Sequence, residues 1–220
     1  MFVFVRHGES ESNRFIHTNA SDLSVKVNAI GDPMLTELGR RQALATASFL
    51  RAKLEQLGSP TVNVHTSLFT RTQQTAAPFS ELYREHVDWN DSTPALLEWT
   101  PPRKQLTDSH MDAGLKHDES WGAFEIRVRE FATWMSENAG DGSTTTIVFG
   151  HSVFIGALFS FLGTQCTWFP GQEELSFELP NCSISTIVKL PRRWSIHYVG
   201  AISHLSNDLV TGYHSPFAHI

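Results

Sequence analysis

Two short stretches of the chain place a histidine at the end of an apolar run, beside groups that bind or move charge. The first is Arg6-His7-Gly8-Glu9, which follows the apolar run Phe2–Val5. The second is Gly150-His151-Ser152, which follows Thr144–Phe149. A neutral imidazole nitrogen is a nucleophile or a base, and a guanidinium binds anionic oxygens through a planar fork of donors. Because open α/β sheets hold ligands at the ends of their strands, both stretches are candidate parts of one site.

The elements that must position these stretches follow from hydrophobic periodicity. Strands are predicted over Phe2–Val5, Thr61–Thr66, Ala95–Trp99, Thr144–Phe149, Ser183–Leu190 and Trp194–Ile202. Helices are predicted over Thr36–Leu57 with Thr36 as N-cap, Arg71–His86, Trp121–Asn138 and Val153–Leu162. Ser12–Pro33 is irregular in pattern, and Pro101–Glu119 is polar and rich in turn residues. Strands alternating with helices predict a three-layer α/β/α sandwich with a largely parallel central sheet.

Length and charge limit the class of protein. At 220 residues, of which 40% are hydrophobic, the chain fits a single domain over 1–220, with substrate-contacting insertions around 14–33 and 99–121. The net charge is −6, and no lysine- or arginine-rich block occurs. Since nucleic-acid binding leaves a basic stripe, we expect no nucleic-acid partner. A few arginines converging in a pocket still attract an anionic substrate.

The cysteines and the apolar stretches of the sequence indicate the cellular compartment in which we expect the protein. Cys166 and Cys182 are the only cysteines and form no C-x-x-C pair, which favours reduced thiols in a cytoplasmic protein. The first apolar run ends at Arg6 and lacks a basic region before it, so we expect no signal peptide. Gly150-His151-Ser152 divides the longest apolar stretch, Thr146–Gly163, into pieces shorter than the ~20 residues of a membrane span. We therefore expect no membrane association.

Several short motifs, in order along the chain, resemble those of the histidine phosphatase superfamily. This superfamily includes the cofactor-dependent phosphoglycerate mutases. They are Arg6-His7-Gly8-Glu9, Asn13, Asp32–Thr36 with Gly39 and Gln42-Ala43, Ser67 with Arg71-Thr72 and Gln74–Ala76, Glu98, Gly150-His151-Ser152 and Asn181–Ser183. Any one of these motifs is short and modestly specific. Their order over nearly the whole chain makes chance agreement unlikely to explain them, and the resemblance implies a phosphoglycerate mutase-like fold.

The resemblance implies catalysis by His7, Arg6, Arg71, His151 and Glu98. His7 is the implied nucleophile, forming a phosphohistidine that water hydrolyses. Arg6 and Arg71 disfavour the imidazolium form of His7 and stabilise charge on the transferring phosphoryl group. His151 is implied to hydrogen-bond that group at a helix N-terminus, with Ser152 and Asn13 as further phosphate-binding residues.

The proton donor to the leaving alkoxide is the least determined role. Glu98 matches the acidic residue of the family by order, but its neighbours Trp99-Thr100-Pro101 differ from the mutase context. Glu9 and Asp32 are alternative donors. We expect Glu9 to orient the first loop, and Asp32 to cap or pack ahead of the helix that begins at Thr36.

Three other functions compete with a phosphatase. Gly150-His151-Ser152-Val153 imitates the elbow of a serine hydrolase with Ser152 as nucleophile and Asp208 and His214 in the right order, but Phe154 replaces the final glycine. A mutase must retain the phosphoryl group, and the tyrosine-glycine context of the mutase acid is absent here. A non-catalytic binder would not need both histidines and both arginines.

The expected partner is a small phosphorylated molecule. The segments that should line the rest of the pocket contain cationic and aromatic residues: His17, Trp99, Arg103, Lys104, His110 and Trp121. These residues suit a phosphorylated metabolite with further polar groups, without selecting one compound. The histidines are scattered and lack the H-x-x-x-H pair of zinc peptidases, so we expect no metal and no other cofactor. The sequence does not fix the oligomeric state.

Overall fold

A computed structural model describes residues 1–18, 32–58, 61–84, 87–89, 96, 119–139, 144–164, 177 and 179–211. The strands are β1 (Phe2–Arg6), β2 (Val62–Thr66), β3 (Val87–Trp89), β4 (Thr145–Gly150), β5 (Ile184–Leu190) and β6 (Arg193–Ala201). The helices are α1 (Glu11–Thr18), α2 (Glu37–Gln56), α3 (Thr70–Leu82), α4 (Trp121–Glu137) and α5 (Ser152–Thr164). A short 3-10 helix lies at Asn207–Leu209.

The six strands form one sheet in the order β3-β2-β4-β1-β5-β6. Strand β4 lies between β1 and β2 and is parallel to both, and β3 is parallel to β2. Strand β5 is antiparallel to β1, and β6 is antiparallel to β5. The largely parallel sheet is therefore confirmed, with an antiparallel hairpin added at one side.

Helices cover both faces of the sheet because the side chains of β1 alternate between two cores. Phe2 and Phe4 pack into a core with apolar residues of α4 and α5. Val3 and Val5 pack into a second core with apolar residues of α2 and α3. A strand buried on both faces reads as a continuous apolar run, which is the pattern at the start of this chain. The three-layer α/β/α arrangement is confirmed.

Side-chain caps fix where the helices near the site begin. Thr36 is the N-cap of α2, as predicted, and its hydroxyl accepts a hydrogen bond from Gly39 N at 3.0 Å. The expectation that Asp32 serves the same helix is wrong. The Asp32 carboxylate accepts from the backbone N–H and the hydroxyl of Thr70 instead, at 2.9 and 2.6 Å. Asp32 thereby caps the orphan donors at the start of α3.

Two short elements differ from the sequence prediction. Residues from Ser12 onward were expected to be irregular, but α1 begins at Glu11 and is capped by the Ser10 hydroxyl, which accepts from Asn13 N at 3.3 Å. A helix of eight residues with only two apolar ones, Phe15 and Ile16, is too short to show a repeating apolar pattern in the sequence. The second difference is that α3 ends at Leu82, before the predicted His86, and a three-residue strand β3 follows.

Some predictions fall on residues that the structure does not describe. The strand over Ala95–Trp99 and the predicted insertions around 14–33 and 99–121 lie wholly or largely outside the described ranges; within that strand only Leu96 is described, and it is buried. In the part of the chain that is described, no helix is long and apolar enough to cross a membrane.

Candidate active site

Three neighbouring parallel strands deliver the polar residues of the site. His7 follows β1, His151 follows β4 and Ser67 follows β2. The backbone hydrogen bonds between these strands continue past the strand ends. His7 N donates to Gly150 O at 3.0 Å, and Ser67 N donates to Phe149 O at 3.1 Å. The imidazole rings of His7 and His151 are 5.3 Å apart between centroids and meet edge to face. The sheet therefore places the two predicted histidines in direct contact.

The loop after β1 crosses the start of α2 at a distance that only glycine permits. A Cβ atom at Gly8 would lie 2.6 Å from the carbonyl oxygen of Gly39, and one at Gly39 would lie 2.1 Å from that of Glu9. The Glu9 carboxylate accepts a hydrogen bond from the Thr36 hydroxyl at 2.7 Å. Glu9 thus ties the first loop to the start of α2, which is the orienting role expected for it.

His7 is buried, with 4% of its surface exposed, and one ring nitrogen is committed to the backbone. Nδ1 lies 2.7 Å from the carbonyl oxygen of Gly8. Because a carbonyl oxygen only accepts, Nδ1 carries the proton and the neutral ring keeps a lone pair on Nε2. Burial, followed by the charges of Arg71 and Arg6, lowers the pKa of His7 well below its usual value. The ring is therefore neutral near pH 7, with an unprotonated Nε2.

A turn from the end of the chain holds the backbone behind His7. The carbonyl oxygen of His7 accepts from Cys182 N at 3.2 Å and from Asn181 Nδ2 at 3.1 Å. Cys182 has a positive φ of 56°, and burial raises the pKa of its thiol to about 12. Asn13 joins this turn, since its Oδ1 accepts from Asn181 Nδ2 at 3.1 Å and from the Ser10 hydroxyl at 3.0 Å.

His151 is fully buried, and both of its ring nitrogens have protein partners. Nδ1 is 3.2 Å from the guanidinium of Arg71, and Nε2 is 2.9 Å from the Ser67 hydroxyl. Phe69 packs edge to face on the ring at 5.3 Å between centroids. Burial is the largest cause of a pKa well below the usual value, and the charges of Arg71, His7, Arg6 and Arg127 add to it.

Two guanidinium groups supply the positive charge of the site. Arg6 donates to the carbonyl oxygen of Leu179, which anchors it to the segment preceding the Cys182 turn. The guanidinium of Arg71 lies 3.9 Å from the Asp32 carboxylate, and its central carbon lies 4.3 Å from the centre of the Phe69 ring. Both cations influence the pKa of both histidines, so the four predicted residues form one electrostatic unit.

Other predicted residues have mixed outcomes. Ser152 is the first residue of α5, next to His151. Glu98 lies outside the described residues. Asp208, the acid required by the serine-hydrolase alternative, accepts hydrogen bonds from Arg41 and Ser206 on the exposed surface, whereas His214 is not described.

Two hydroxyl residues matter more than the sequence patterns indicated. The Thr75 hydroxyl accepts from Gly8 N at 3.0 Å and donates to Arg71 O at 2.7 Å, so it joins the first loop to α3. Ser67 was part of the family resemblance, but no role was predicted for it. Ser67 and Thr75 each lie four positions from Arg71 in the sequence, and both belong to the stretches that carry the family resemblance. Among the described side chains, no group of three metal-ligating residues converges.

The family model for the histidine phosphatase superfamily, branch 1, matches residues 2–201. The match includes both histidine stretches, both arginines and all six described strands, and it ends at Ala201, the last residue of β6. The chain belongs to the histidine phosphatase superfamily. No curated protein sequence matches the chain significantly.

Solved structures with the same fold are distant in sequence. Mycobacterial glucosyl-3-phosphoglycerate phosphatase in complex with inorganic phosphate is 20% identical with a TM-score of 0.61, and the match covers 93% of this chain and 99% of that one. The alpha-ribazole phosphatase from Shigella flexneri is 16% identical with a TM-score of 0.62, covering 91% and 96%. YhfR from Bacillus stearothermophilus is 16% identical with a TM-score of 0.64, covering 92% and 98%. The phosphoglycerate mutase-like fold expected from the sequence is confirmed.

Proposed function

We propose that this superfamily member is a phosphatase that hydrolyses phosphomonoesters through a phosphohistidine on His7. The observation that carries the proposal is the hydrogen bond from His7 Nδ1 to the Gly8 carbonyl at 2.7 Å, which leaves the Nε2 lone pair available. Burial of the His7 ring and the charges of Arg71 and Arg6 keep the ring neutral. The same two guanidinium groups attract a phosphoryl dianion to His7. Two solved structures that share this fold support the choice of reaction. One is named a glucosyl-3-phosphoglycerate phosphatase and the other an alpha-ribazole phosphatase.

The reaction has two steps in this proposal. In the first, Nε2 of His7 forms a bond to phosphorus while the bond from phosphorus to the ester oxygen breaks. Glu98 donates a proton to the departing alkoxide, the role implied for it by its match to the acid of the family. In the second step, water gives a proton to the Glu98 carboxylate and attacks phosphorus, the P–N bond breaks and inorganic phosphate leaves, which restores neutral His7 and protonated Glu98. Arg6 and Arg71 stabilise the phosphoryl oxygens in both transition states.

Hydrolysis is favoured over mutase chemistry by the neighbourhood of Glu98. A mutase must hold the reaction intermediate and return the phosphoryl group to it, whereas a phosphatase lets water reach the phosphohistidine. The stretch Glu98-Trp99-Thr100-Pro101 does not have the tyrosine-glycine context of the mutase acid. We propose a metal-independent reaction, because two guanidinium groups supply the charge stabilisation for which many phosphatases use metal ions.

The proposed substrate is a small phosphorylated metabolite with further polar groups. The segments predicted to contact it, within 14–33 and 99–121, combine aromatic side chains such as Trp99 and Trp121 with cations such as Arg103 and Lys104. Aromatic faces pack on apolar or ring surfaces, and cations pair with additional anionic groups. We propose a cytoplasmic location because the two cysteines of the sequence form no C-x-x-C pair, which favours reduced thiols.

The test is phosphate release from a panel of phosphomonoesters, measured with EDTA present, for wild type and His7→Ala. We expect turnover by wild type and none by the variant, and an acid-labile phosphoenzyme that forms only with His7. His197→Ala is the matched control, because His197 is exposed on β6, far from the strand ends that carry the site. Equal release by wild type and His7→Ala, or loss of all wild-type activity with EDTA, would contradict the proposal.

Other outcomes would redirect the assignment. Transfer of phosphate between two positions of one substrate, without net release, would identify a mutase. Activity toward carboxylic esters that is lost in Ser152→Ala but kept in His7→Ala would identify the serine-hydrolase alternative. Glu98→Gln tests the proton donor separately: we expect a loss of about 10²–10⁴-fold with a poor leaving group and a much smaller loss with a good one.

A further inference from the structure

The hydrogen bonds of His151 determine which of its nitrogens carries the proton. Arg71 has donors only, so Nδ1 of His151, 3.2 Å away, must accept. The single proton of the neutral ring therefore lies on Nε2, which donates to the Ser67 hydroxyl at 2.9 Å. In this state His151 has no N–H on the side that faces the arginine.

This tautomer does not suit a site occupied by phosphate. In the proposed function, the phosphoryl group draws the donors of Arg71 toward its own oxygens. The Nδ1 lone pair of His151 would then face a phosphoryl oxygen, and two acceptors in contact repel each other. For His151 to stabilise the phosphoryl group, Nδ1 must carry a proton while the group is bound. Either the ring gains a positive charge or its single proton moves from Nε2 to Nδ1.

The surroundings of His151 disfavour the charged form. Four titratable or charged groups act on its ring: Arg6 and His7 at the end of β1, Arg71 on α3 and Arg127 on α4. All of them lower the pKa of His151, and full burial lowers it further. A dianion offsets part of this effect, but Arg6 and Arg71 already provide it with two positive charges. The neutral form with the proton on Nδ1 is therefore the less costly one.

Ser67 is the group that makes the neutral exchange possible. Its hydroxyl is both a donor and an acceptor, and rotation about the C–O bond changes one role for the other. The residue is fully buried and is fixed by its backbone N–H to Phe149 O at 3.1 Å. Phe69 N, at 3.4 Å from Ser67 Oγ, occupies one lone pair only weakly. The hydroxyl can thus accept from Nε2–H without substrate and donate to the Nε2 lone pair when phosphate is bound.

We propose that Ser67 is a positioning residue that lets His151 change tautomer, so that His151 accepts from Arg71 in the empty site and donates to the phosphoryl group in the occupied one. The inference rests on the proposed phosphate binding by Arg6 and Arg71. The ring holds one N–H before and after the exchange: Nδ1 takes a proton from water and Nε2 returns one to water. No net charge enters the site, and Ser67 breaks no covalent bond.

The direct test is nitrogen NMR of wild-type protein with ¹⁵N-labelled histidine, without and with inorganic phosphate. His151→Gln identifies the signals. We expect Nδ1 to show the shift of an unprotonated nitrogen without phosphate and that of a protonated one with it, and Nε2 to show the reverse. Two protonated nitrogens in the phosphate complex, or an unchanged pattern at saturating phosphate, would overturn the proposal.

Variants of Ser67 give the second test. Ser67→Ala leaves Nε2 without a partner in either tautomer, and we expect phosphate affinity and kcat/KM to fall about tenfold or more, with a shifted pH profile. Ser67→Thr keeps a hydroxyl and should restore the tautomer exchange seen by NMR. Ser185→Ala is the matched control, because Ser185 is an equally buried serine on β5 whose hydroxyl accepts a hydrogen bond from Gly200 N, away from both histidines of the site. An unshifted pH profile and unchanged phosphate affinity in a folded Ser67→Ala would refute the role.

These measurements separate the two proposals. Phosphate binding with tautomer exchange, but without ester hydrolysis, would support the role of Ser67 and contradict the phosphatase. Ester hydrolysis through His7 with His151 fixed as the Nε2–H form would support the phosphatase and contradict the role of Ser67.

Discussion

Acidification should destabilise the protein through a histidine that lies outside the candidate active site. His204 packs its ring against Phe49 at 5.0 Å between centroids, and its Nε2 lies 3.0 Å from the Thr46 hydroxyl on α2. Burial lowers the pKa of His204 to about 4, and a hydrogen bond to the backbone of Cys182 opposes this effect only in part. His204 therefore supports, in its neutral form, the turn that holds the backbone of His7.

The sign and size of the effect follow from proton linkage. The unfolded ring keeps its ordinary pKa of 6.5, whereas the folded ring titrates at about 4. Above pH 6.5 both states are neutral, so the pH does not act through this group. Between these values only the unfolded state takes up the proton, and the free energy of unfolding falls by about 1.4 kcal/mol per pH unit. By pH 5 the loss approaches about 2 kcal/mol, and partial solvent access to the ring reduces it to about 1–2 kcal/mol.

The assay is urea unfolding of wild type and His204→Gln at pH 8 and pH 5. His7, His65 and His151 also have lowered pKa values, so wild type loses more stability than His204 alone explains. The informative quantity is the difference between the two proteins in the pH-dependent loss. We expect His204→Gln to lose about 1–2 kcal/mol less than wild type between these pH values. Equal losses would refute the assignment of this pH dependence to His204.

Further predictions test the contacts around the first loop. Gly39→Ala should cost about 2–3 kcal/mol of stability in thermal unfolding, because its Cβ would lie 2.1 Å from the Glu9 carbonyl oxygen. Gly122→Ala, in α4 with no described atom within 4 Å of the new Cβ, should gain about 0.5–1 kcal/mol, and a matching loss would contradict the steric argument. Thr75→Val should cost about 1–3 kcal/mol by leaving Gly8 N unpaired in the interior, and should lower kcat of ester hydrolysis; unchanged kcat would show that this bond does not position His7.

The main architecture could be predicted because burial leaves periodic signals. Strands β1 and β4 are buried on both faces and appear as continuous apolar runs, and α2 and α4 show apolar faces at helical spacing. Elements held by polar contacts lack such signals. The helix α1 depends on the Ser10 cap, and β3 is three residues long with one paired neighbour. Their existence follows from tertiary contacts that local sequence does not express.

The order of the strands explains why distant residues of the sequence form one site. Strands β2, β4 and β1 are neighbours in the sheet although β4 follows β2 by nearly eighty residues along the chain. Sequence reasoning located His7 and His151 at strand ends, but adjacency of those ends is a property of the sheet. Local sequence likewise misplaced Asp32. Along the chain it precedes the helix that begins at Thr36, but in the folded protein it caps α3.

The charge states of the two histidines show what sequence alone cannot assign. The arginines were expected to keep His7 neutral, but burial is the larger cause, and Arg71 and Arg6 act after it. Which ring nitrogen of each histidine carries the proton depends on whether its hydrogen-bond partner is a donor or an acceptor. A carbonyl oxygen beside His7 Nδ1 can only accept, so Nδ1 of His7 carries the proton and the lone pair is on Nε2. A guanidinium beside His151 Nδ1 can only donate, so the proton of His151 is on Nε2. His7 and His151 are in contact but hold opposite tautomers. Of their described partners, the Ser67 hydroxyl beside His151 is the one that can change from acceptor to donor.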